Sequence, residues 1–181
     1  MGDCMEYSIV SLISILQNNE RSDVEKYLSN YESIYDDSTS VFLRKKAIDL
    51  KLRDVSRTHI AISKESMMMG FFTLSIKSLR IPDENLLSSK ILRSMNIESK
   101  TDVAQSYILG QLSRSIESPA GFGRTLIHEA LERVQTCKTN VGCRMLRLDC
   151  TDEMKKYYEG IGFRKISKNH EGDLNQMMTL I

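Results

Sequence analysis

Apolar and polar positions in the middle of the chain predict a strand, a turn, a helix, a second strand and a second helix. Tyr107–Ser113 is an apolar run with a central glycine, bounded by polar residues, which predicts a buried strand. Apolar residues recur at helical spacing from Ile127 to Val134, which predicts a helix. Apolar and polar residues alternate over Val141–Cys150, which predicts a strand, and a short helix is predicted over Thr151–Tyr158. The candidate site residues of the chain lie on these elements.

The amino-terminal part predicts helices followed by a hairpin. Arg21–Leu28 and Val41–Arg53 have apolar residues at helical spacing. Arg57–Ile62 and Met67–Ser75 are strand-like runs joined by a short polar turn, which predicts an antiparallel hairpin. Apolar and polar residues alternate only poorly over Met5–Gln17. This segment therefore fits a strand, a helix or both in succession.

The remaining segments are an insertion and a closing hairpin. Pro82–Val103 contains a short helical pattern between polar residues, and it either covers a substrate pocket as a lid or forms a surface excursion. Arg164–Lys168 and Gln176–Ile181 are strand-like runs on either side of a turn, which predicts a second hairpin at the end of the chain.

A glycine-containing turn separates the central strand from the helix that follows it. The turn is Ser118–Arg124, and it contains Gly121 and Gly123. Glycine lets the backbone approach a ligand closely, and a helix start presents unpaired N–H groups with partial positive charge. The combination suits a pyrophosphate, although a lone G-x-G more often only changes the chain direction.

Three short motifs resemble those of the GNAT family, the Gcn5-related N-acetyltransferases. They are Leu109-Gly-Gln-Leu112, the turn Ser118-Pro-Ala-Gly-Phe-Gly123 and Tyr157-Tyr-Glu-Gly-Ile-Gly-Phe163. The family usually has Gln or Arg at the head of the turn, where this chain has Ser118, and Arg124 is the candidate for supplying the missing charge. Shorter sequence segments between Val41 and Leu74 resemble those of one branch of the family. That branch contains toxins that acetylate aminoacyl-tRNA and pair with a small antitoxin.

The resemblance implies a fold and a cosubstrate. The expected fold class is α/β, with α and β mixed: a central mixed, mostly antiparallel twisted sheet flanked by helices, with two splayed parallel strands in the middle. Residues 1–181 would form a single acetyltransferase domain, with residues 82–103 as a helical and loop insertion. The cosubstrate would be acetyl-CoA, with no metal, and the substrate amine would attack the thioester directly.

Site residues follow from the same resemblance. Tyr158 takes the position of a general acid that gives a proton to the departing CoA thiolate, although packing of the short helix is the alternative role. No general base is identified. The pantetheine would pair with backbone groups of Leu112 and Ser113. The pyrophosphate would be held by the amides of Gly121, Phe122, Gly123, Arg124 and Thr125.

Three hypotheses describe the acceptor. The first is a small-molecule or peptide amine. The second is an aminoacyl-tRNA, which predicts a basic stripe near the mouth of the cofactor site. The third is a catalytically silent module that binds acetyl-CoA or a protein partner. A homodimer is expected because GNAT proteins are often dimers. The candidates for the basic stripe are Arg114, Lys45, Lys46, Arg53 and Arg57.

Composition narrows these hypotheses only slightly. The net charge of +1 gives no general reason to expect nucleic acid. Four cysteines, none in a C-x-x-C pair, and three histidines make a zinc site unexpected and favour a reduced, cytoplasmic protein. No apolar run approaches the ~18 residues of a membrane span, and no signal peptide is recognisable.

Overall fold

The computed structural model of the chain describes residues 6–35, 37–95, 97–98 and 100–181. The strands are β1 (Tyr7–Ser11), β2 (Arg57–Ser63), β3 (Met68–Arg80), β4 (Val103–Arg114), β5 (Met145–Cys150), β6 (Arg164–Lys168) and β7 (Asn175–Leu180). The helices are α1 (Leu12–Asn18), α2 (Arg21–Ser29), α3 (Asp37–Lys45), α4 (Ala47–Leu52), α5 (Ser89–Ser94), α6 (Phe122–Val141) and α7 (Asp152–Glu159). In this part of the chain, none of the helices is long and apolar enough to cross a membrane.

The strands form a seven-stranded sheet in the order β1-β2-β3-β4-β5-β7-β6. β1 and β2, β2 and β3, β5 and β7, and β6 and β7 pair antiparallel. β4 and β5 run parallel, and only two residue pairs join them, Tyr107 with Leu146 and Ile108 with Arg147. This sheet confirms the predicted mixed, mostly antiparallel architecture.

The chain divides into two compact units, and the first comprises Met1–Ser75 and Gln111–Ala130. Its core packs the four helices α1 to α4 against the strands β2 and β3. Ile60 on β2 and Phe71 on β3 are fully buried there beside Leu12, Leu28 and Leu43. The apolar stripes predicted on these helices therefore face the sheet.

The second unit comprises Ile76–Gly110 and Leu131–Ile181. One of its clusters joins the insertion to the sheet: Met95, which follows α5, is buried with Leu79, Ala104, Met145 and Met178. The predicted helix of the insertion is short, because α5 runs only over six residues and is capped by the Ser88 hydroxyl. Asn96 and Ser99 lie outside the described residues, and the expectation of a single domain stays a prediction.

Two predicted boundaries were wrong, and each error has a backbone cause. The helix predicted over Val41–Arg53 is two helices, since Lys46 has φ −118° and separates α3 from α4. The strand predicted to begin at Val141 begins later, because α6 continues through that residue. Gly142 and Cys143 then have φ of 87° and 74°, and these left-handed conformations end the helix.

The amino-terminal alternatives are resolved in favour of a strand followed by a helix. β1 ends at Ser11, whose hydroxyl accepts a hydrogen bond from the N–H of Ser14 at 3.2 Å and so caps α1. Met5, where the ambiguous segment begins, lies outside the described residues.

Candidate active site

The turn before α6 is closed by Ser118, the residue that stands where GNAT proteins usually have Gln or Arg. The Ser118 hydroxyl is buried and donates to the carbonyl of Ser115 at 2.7 Å, and the Ser118 N–H donates to the same oxygen at 3.1 Å. Arg114 Nη1 donates to the Ser118 carbonyl at 3.4 Å. Because its polar groups are used within the turn, the Ser118 side chain has a structural role there.

α6 begins inside the predicted turn, so three of the candidate amides predicted in the turn, those of Phe122, Gly123 and Arg124, lie in the helix. Gly121 precedes the helix with φ of 84°, and no atom lies within 4 Å of a Cβ placed on it. Gly123, Arg124 and Thr125 belong to the first helical turn, where N–H groups lack the usual partner four residues earlier. The turn and the helix start thus present backbone N–H groups to an open space, as an anion site requires.

Phe122 fixes this helix start to the rest of the first unit. Its side chain is buried and meets the ring of Tyr7 edge-on, with ring centroids 5.3 Å apart. The Tyr7 hydroxyl donates to Glu129 Oε1 at 2.9 Å. These contacts tie the first two turns of α6 to β1. Within the turn itself, the amides of Phe122 and Arg124 hydrogen bond to the carbonyls of Pro119 and Gly121.

Alternate residues at the end of β4 turn their backbone groups toward β3. The N–H of Gln111 donates to Thr73 Oγ1 at 2.8 Å. The N–H of Ser115 donates to the carbonyl of Met69 at 3.0 Å. Since backbone groups alternate between the two edges of a strand, Leu112 and Arg114 face the opposite edge.

That opposite edge is covered at one end and open at the other. The carbonyl of Arg114 accepts from the N–H of Ile34 at 3.2 Å, and the N–H of Ile116 donates to the carbonyl of Glu32 at 3.1 Å. Leu112 faces the same edge, two residues earlier, and lies beyond the end of this short pairing. The structure therefore brings the Leu112 backbone to an uncovered strand edge, where an extended ligand could pair with it.

Ser113 has a different environment. Its hydroxyl is buried, accepts hydrogen bonds from Tyr31 at 2.8 Å and Thr39 at 3.0 Å, and donates to Ser33 at 3.0 Å. Its carbonyl oxygen lies 2.7 Å from where a Cβ on Gly70 of β3 would be. The side chain thus anchors the segment before α3, and the predicted backbone role of Ser113 in cofactor binding stays a prediction.

Tyr158, the candidate general acid, belongs to the second unit. Its side chain is 8% exposed and packs edge-on against Tyr157 and Phe163, with ring centroids 5.3 and 5.8 Å apart. Burial raises the pKa of its phenol above the ordinary value of 10.0, and the neighbouring Cys150 and Tyr157 add to the shift. The phenol is therefore fully protonated at neutral pH, as a proton donor must be.

The start of α7, which carries Tyr158, is held by a contact that no sequence pattern predicts. Asn175 on β7 is fully buried, and its Nδ2 donates to Asp152 Oδ1 at 2.7 Å. Lys168 Nζ pairs with the same carboxylate at 2.9 Å. The hydrogen bond from Asn175 is the main cause of a lowered pKa at Asp152. The partners lie far apart in the sequence, so no local pattern could indicate the contact.

Some side chains of the predicted basic stripe have an ion-pair or aromatic partner, and others have no ion pair with a described residue. Arg57 pairs with Asp54 at 2.7 Å, and the Arg114 guanidinium lies over the ring of Tyr35. The other three candidates are exposed and form no ion pair with any described residue: Lys45, Lys46 and Arg53. In the described chain no group of three His, Cys, Asp or Glu side chains is arranged to hold a metal.

Sequence reasoning also missed a cavity in the first unit, which the polar segment after α2 helps to line. The cavity measures about 460 Å³. Two tyrosines within that polar segment, Tyr31 and Tyr35, were the available signal. Asp36 lies outside the described residues. The lining side chains are Glu32, Ser33, Tyr35, Asp37, Ser40 and Arg44.

Solved structures with the same architecture include AtaT, KacT and a bacterial toxin. AtaT complexed with acetyl-methionyl-tRNA superimposes with a TM-score of 0.73 at 18% identity, covering 94% of each chain. A KacT mutant gives a TM-score of 0.75 at 15% identity, covering 97% of this chain and 95% of that one. This chain has the GNAT fold. AtaT bound to the carboxyl terminus of the antitoxin AtaR and acetyl-CoA shares the GNAT fold as well, with a TM-score of 0.70 at 16% identity, covering 96% and 92% of the two chains.

The GNAT fold is recognised here by structure and by short motifs. No protein-family model matches the chain, and no curated protein matches it by sequence. The likeness extends over nearly the whole of this chain and of each toxin, so the helices α1 to α4 and the insertion are part of the shared architecture.

Proposed function

We propose that the protein is an acetyl-CoA-dependent N-acetyltransferase of the toxin type, whose acceptor is the α-amino group of an aminoacyl-tRNA. The observation that carries this proposal is the near-complete structural likeness to AtaT, a protein solved with acetyl-methionyl-tRNA and with acetyl-CoA. The likeness favours this acceptor over the small-molecule or peptide amine, which no feature of the structure specifically supports.

The cofactor would bind to the first unit. We assign the pyrophosphate to the amides of Gly121 through Thr125, at the start of α6, where the helix dipole favours negative charge. Those of Gly121, Gly123 and Thr125 carry this assignment, because the amides of Phe122 and Arg124 already donate to the carbonyls of Pro119 and Gly121. Because Ser118 is used within the turn, the exposed guanidinium of Arg124 supplies the side-chain charge. Leu112 pairs with the pantetheine at the uncovered edge of β4, and its N–H can also polarise the thioester carbonyl.

The chemical step would follow from these assignments. The neutral amine attacks the thioester carbon, the carbon–sulfur bond breaks, and the acetyl group becomes an amide. The departing CoA thiolate accepts a hydrogen bond and then a proton from Tyr158, and the phenol regains its proton from water. The proton that the amine loses passes to water, so no dedicated base is required.

Acetyl-CoA binding is the first property to measure. Calorimetric titration of acetyl-CoA into the wild type should show micromolar binding, and Gly123→Glu should abolish it, because the substitution places a side chain and a negative charge at the pyrophosphate position. Thr136→Glu, which adds the same side chain and charge at an exposed position later in α6, is the matched control and should bind normally. Absence of binding in the wild type would contradict the enzyme assignment and favour an interaction module.

The acceptor is tested separately with labelled acetyl-CoA and charged tRNA. The wild type should transfer label to one or more aminoacyl-tRNAs and should arrest growth when expressed, whereas Gly123→Glu should do neither. If the protein binds acetyl-CoA but labels no aminoacyl-tRNA, the proposed acceptor is wrong and the small-amine hypothesis replaces it.

A further inference from the structure

The cavity of about 460 Å³ in the first unit lies beside the end of β4 that pairs with the segment after α2. One wall is the segment after α2, where Ser33 bridges Ser115 and the N–H of Ile34 donates to the carbonyl of Arg114. These pairings begin two residues beyond Leu112, the residue to which we assign the pantetheine. The cavity is therefore attached to the same strand end as the proposed thioester site, and its volume lies within the range of small-ligand pockets.

An exposed aromatic ring stands at this cavity. Tyr35 lines it and is 75% exposed, and the guanidinium of Arg114 lies 5.5 Å from the centre of its ring. Ile34 and Ile116 are also exposed on this paired segment. An exposed tyrosine with a stacked arginine is the surface on which unpaired nucleic-acid bases stack.

Arg44 gives the cavity a cation that is incompletely paired. Its Nη2 donates to the Tyr31 carbonyl at 2.5 Å, which fixes the guanidinium. Its Nη1 lies 3.8 Å from Asp37 Oδ1, beyond hydrogen-bond distance, and its buried Nε has no partner among the described residues. The Nη donors that these contacts leave over are suited to phosphate or ribose oxygens.

Two carboxylates complete the lining, Glu32 and Asp37. Negative charge in the cavity attracts an ammonium group, and an α-amino group with a pKa of about 8 is mostly protonated before it reacts. The cavity thus offers an aromatic ring, two guanidiniums and two carboxylates within one unit. A ligand that fits the ring, the guanidiniums and the carboxylates together has a base, a phosphate and an amine.

We propose that this cavity receives the 3′-terminal aminoacyl-adenosine of the acceptor tRNA, with the base stacked on Tyr35, a phosphate or ribose oxygen on Arg44, and the amine beside Glu32 and Asp37. This inference rests on the proposed function and adds to it the residues that select a nucleotide-bearing amine. Because the end of a tRNA is single-stranded, its bases are free to stack in this way.

The test compares Tyr35→Ala with Tyr35→Phe and with Val141→Ala, which removes a similarly exposed apolar side chain from the end of α6. With purified aminoacyl-tRNA as the varied substrate, Tyr35→Ala should raise KM by roughly tenfold or more, as expected for loss of one stacked base. Tyr35→Phe keeps the ring and should restore most of the affinity, and Val141→Ala should match the wild type. Calorimetric affinity for acetyl-CoA should be the same in all of them.

A short aminoacylated oligonucleotide that ends in CCA provides the second substrate. It should show the same KM increase for Tyr35→Ala, because the proposed contact is with the terminal nucleotide. An unchanged KM in Tyr35→Ala, measured with a wild type that acetylates aminoacyl-tRNA, would overturn this inference and leave the proposed function intact. A wild type that binds acetyl-CoA and acetylates no aminoacyl-tRNA would instead remove the acceptor itself, so the two failures are distinguishable.

Discussion

Individual side chains in this protein combine packing with candidate chemistry, and Tyr158 is the clearest case. Its ring is buried against Phe163, so packing alone would explain its presence. The same burial raises the pKa of the phenol and keeps its proton in place. The two roles separate only when the hydroxyl is removed and the ring is kept.

Tyr158→Phe should lower the rate of acetyl transfer by about a hundredfold or more, as is usual for loss of a general acid. Acetyl-CoA affinity and thermal stability should change little, since the ring contacts remain. In the wild type the rate should not decline through loss of this proton at or below the ordinary phenol pKa of 10.0, because burial raises the pKa further. Tyr157→Phe is the control, and full turnover by Tyr158→Phe would reduce Tyr158 to a packing residue.

Strands and helices show which parts of the structure the sequence could predict. Regular alternation identified β2, and apolar spacing identified α2 and α6, because these patterns depend on near neighbours. The end of α6 was missed although Gly142, a residue type that commonly ends helices, follows Val141 directly, because the apolar run after it was interpreted as one strand. The hydroxyl contacts of Ser113 were missed because they join residues that are distant in the sequence.

Close packing of β3 on β4 gives a prediction at the level of these elements. A Cβ on Gly70 would lie 2.7 Å from both the Ser113 carbonyl oxygen and Leu126 Cδ1. Because a backbone oxygen cannot move without shifting its strand, Gly70→Ala should destabilise the protein by about 1–3 kcal/mol in urea unfolding. It should also weaken acetyl-CoA binding, since Leu112 precedes the displaced residue.

Gly160→Ala is the matched control for Gly70→Ala. Its Cβ would lie 3.5 Å from the nearest backbone oxygens, an ordinary contact, and its φ of −64° suits any residue. The stability of Gly160→Ala should lie within about 0.5 kcal/mol of the wild type. Equal stability of Gly70→Ala and the wild type would contradict the close approach of β3 and β4 at this point.

At the scale of the whole molecule, the net charge of +1 provides no general attraction for RNA. Binding of a tRNA must then depend on local groups of cations, and the structure leaves Lys45, Lys46 and Arg53 exposed in the first unit without a carboxylate partner among the described residues. The predicted homodimer remains a prediction, and sedimentation of the purified protein measures it directly.

The salt dependence of acetylation tests the role of these cations. Log KM for aminoacyl-tRNA should rise with log salt, and replacing the three cations by Gln should lower the slope by about two to three, because each phosphate contact contributes about 0.7–0.9. A control protein loses the same total charge from cations that already have carboxylate partners. Equal slopes in the two triple variants would show that net charge alone matters. The control replaces Arg21, Lys64 and Lys155.

The first unit is assembled from two separate stretches of chain, and this has a consequence for synthesis on the ribosome. Residues up to Ser75 emerge first, but Gln111–Ala130, with the end of β4 and the start of α6, follows only after Ile76–Gly110 has been translated. Until then the nascent chain lacks the whole proposed pyrophosphate turn. A chain built in this order lacks its proposed cofactor site while most of its amino-terminal helices are already outside the ribosome, so its nascent fragments are expected to be inactive.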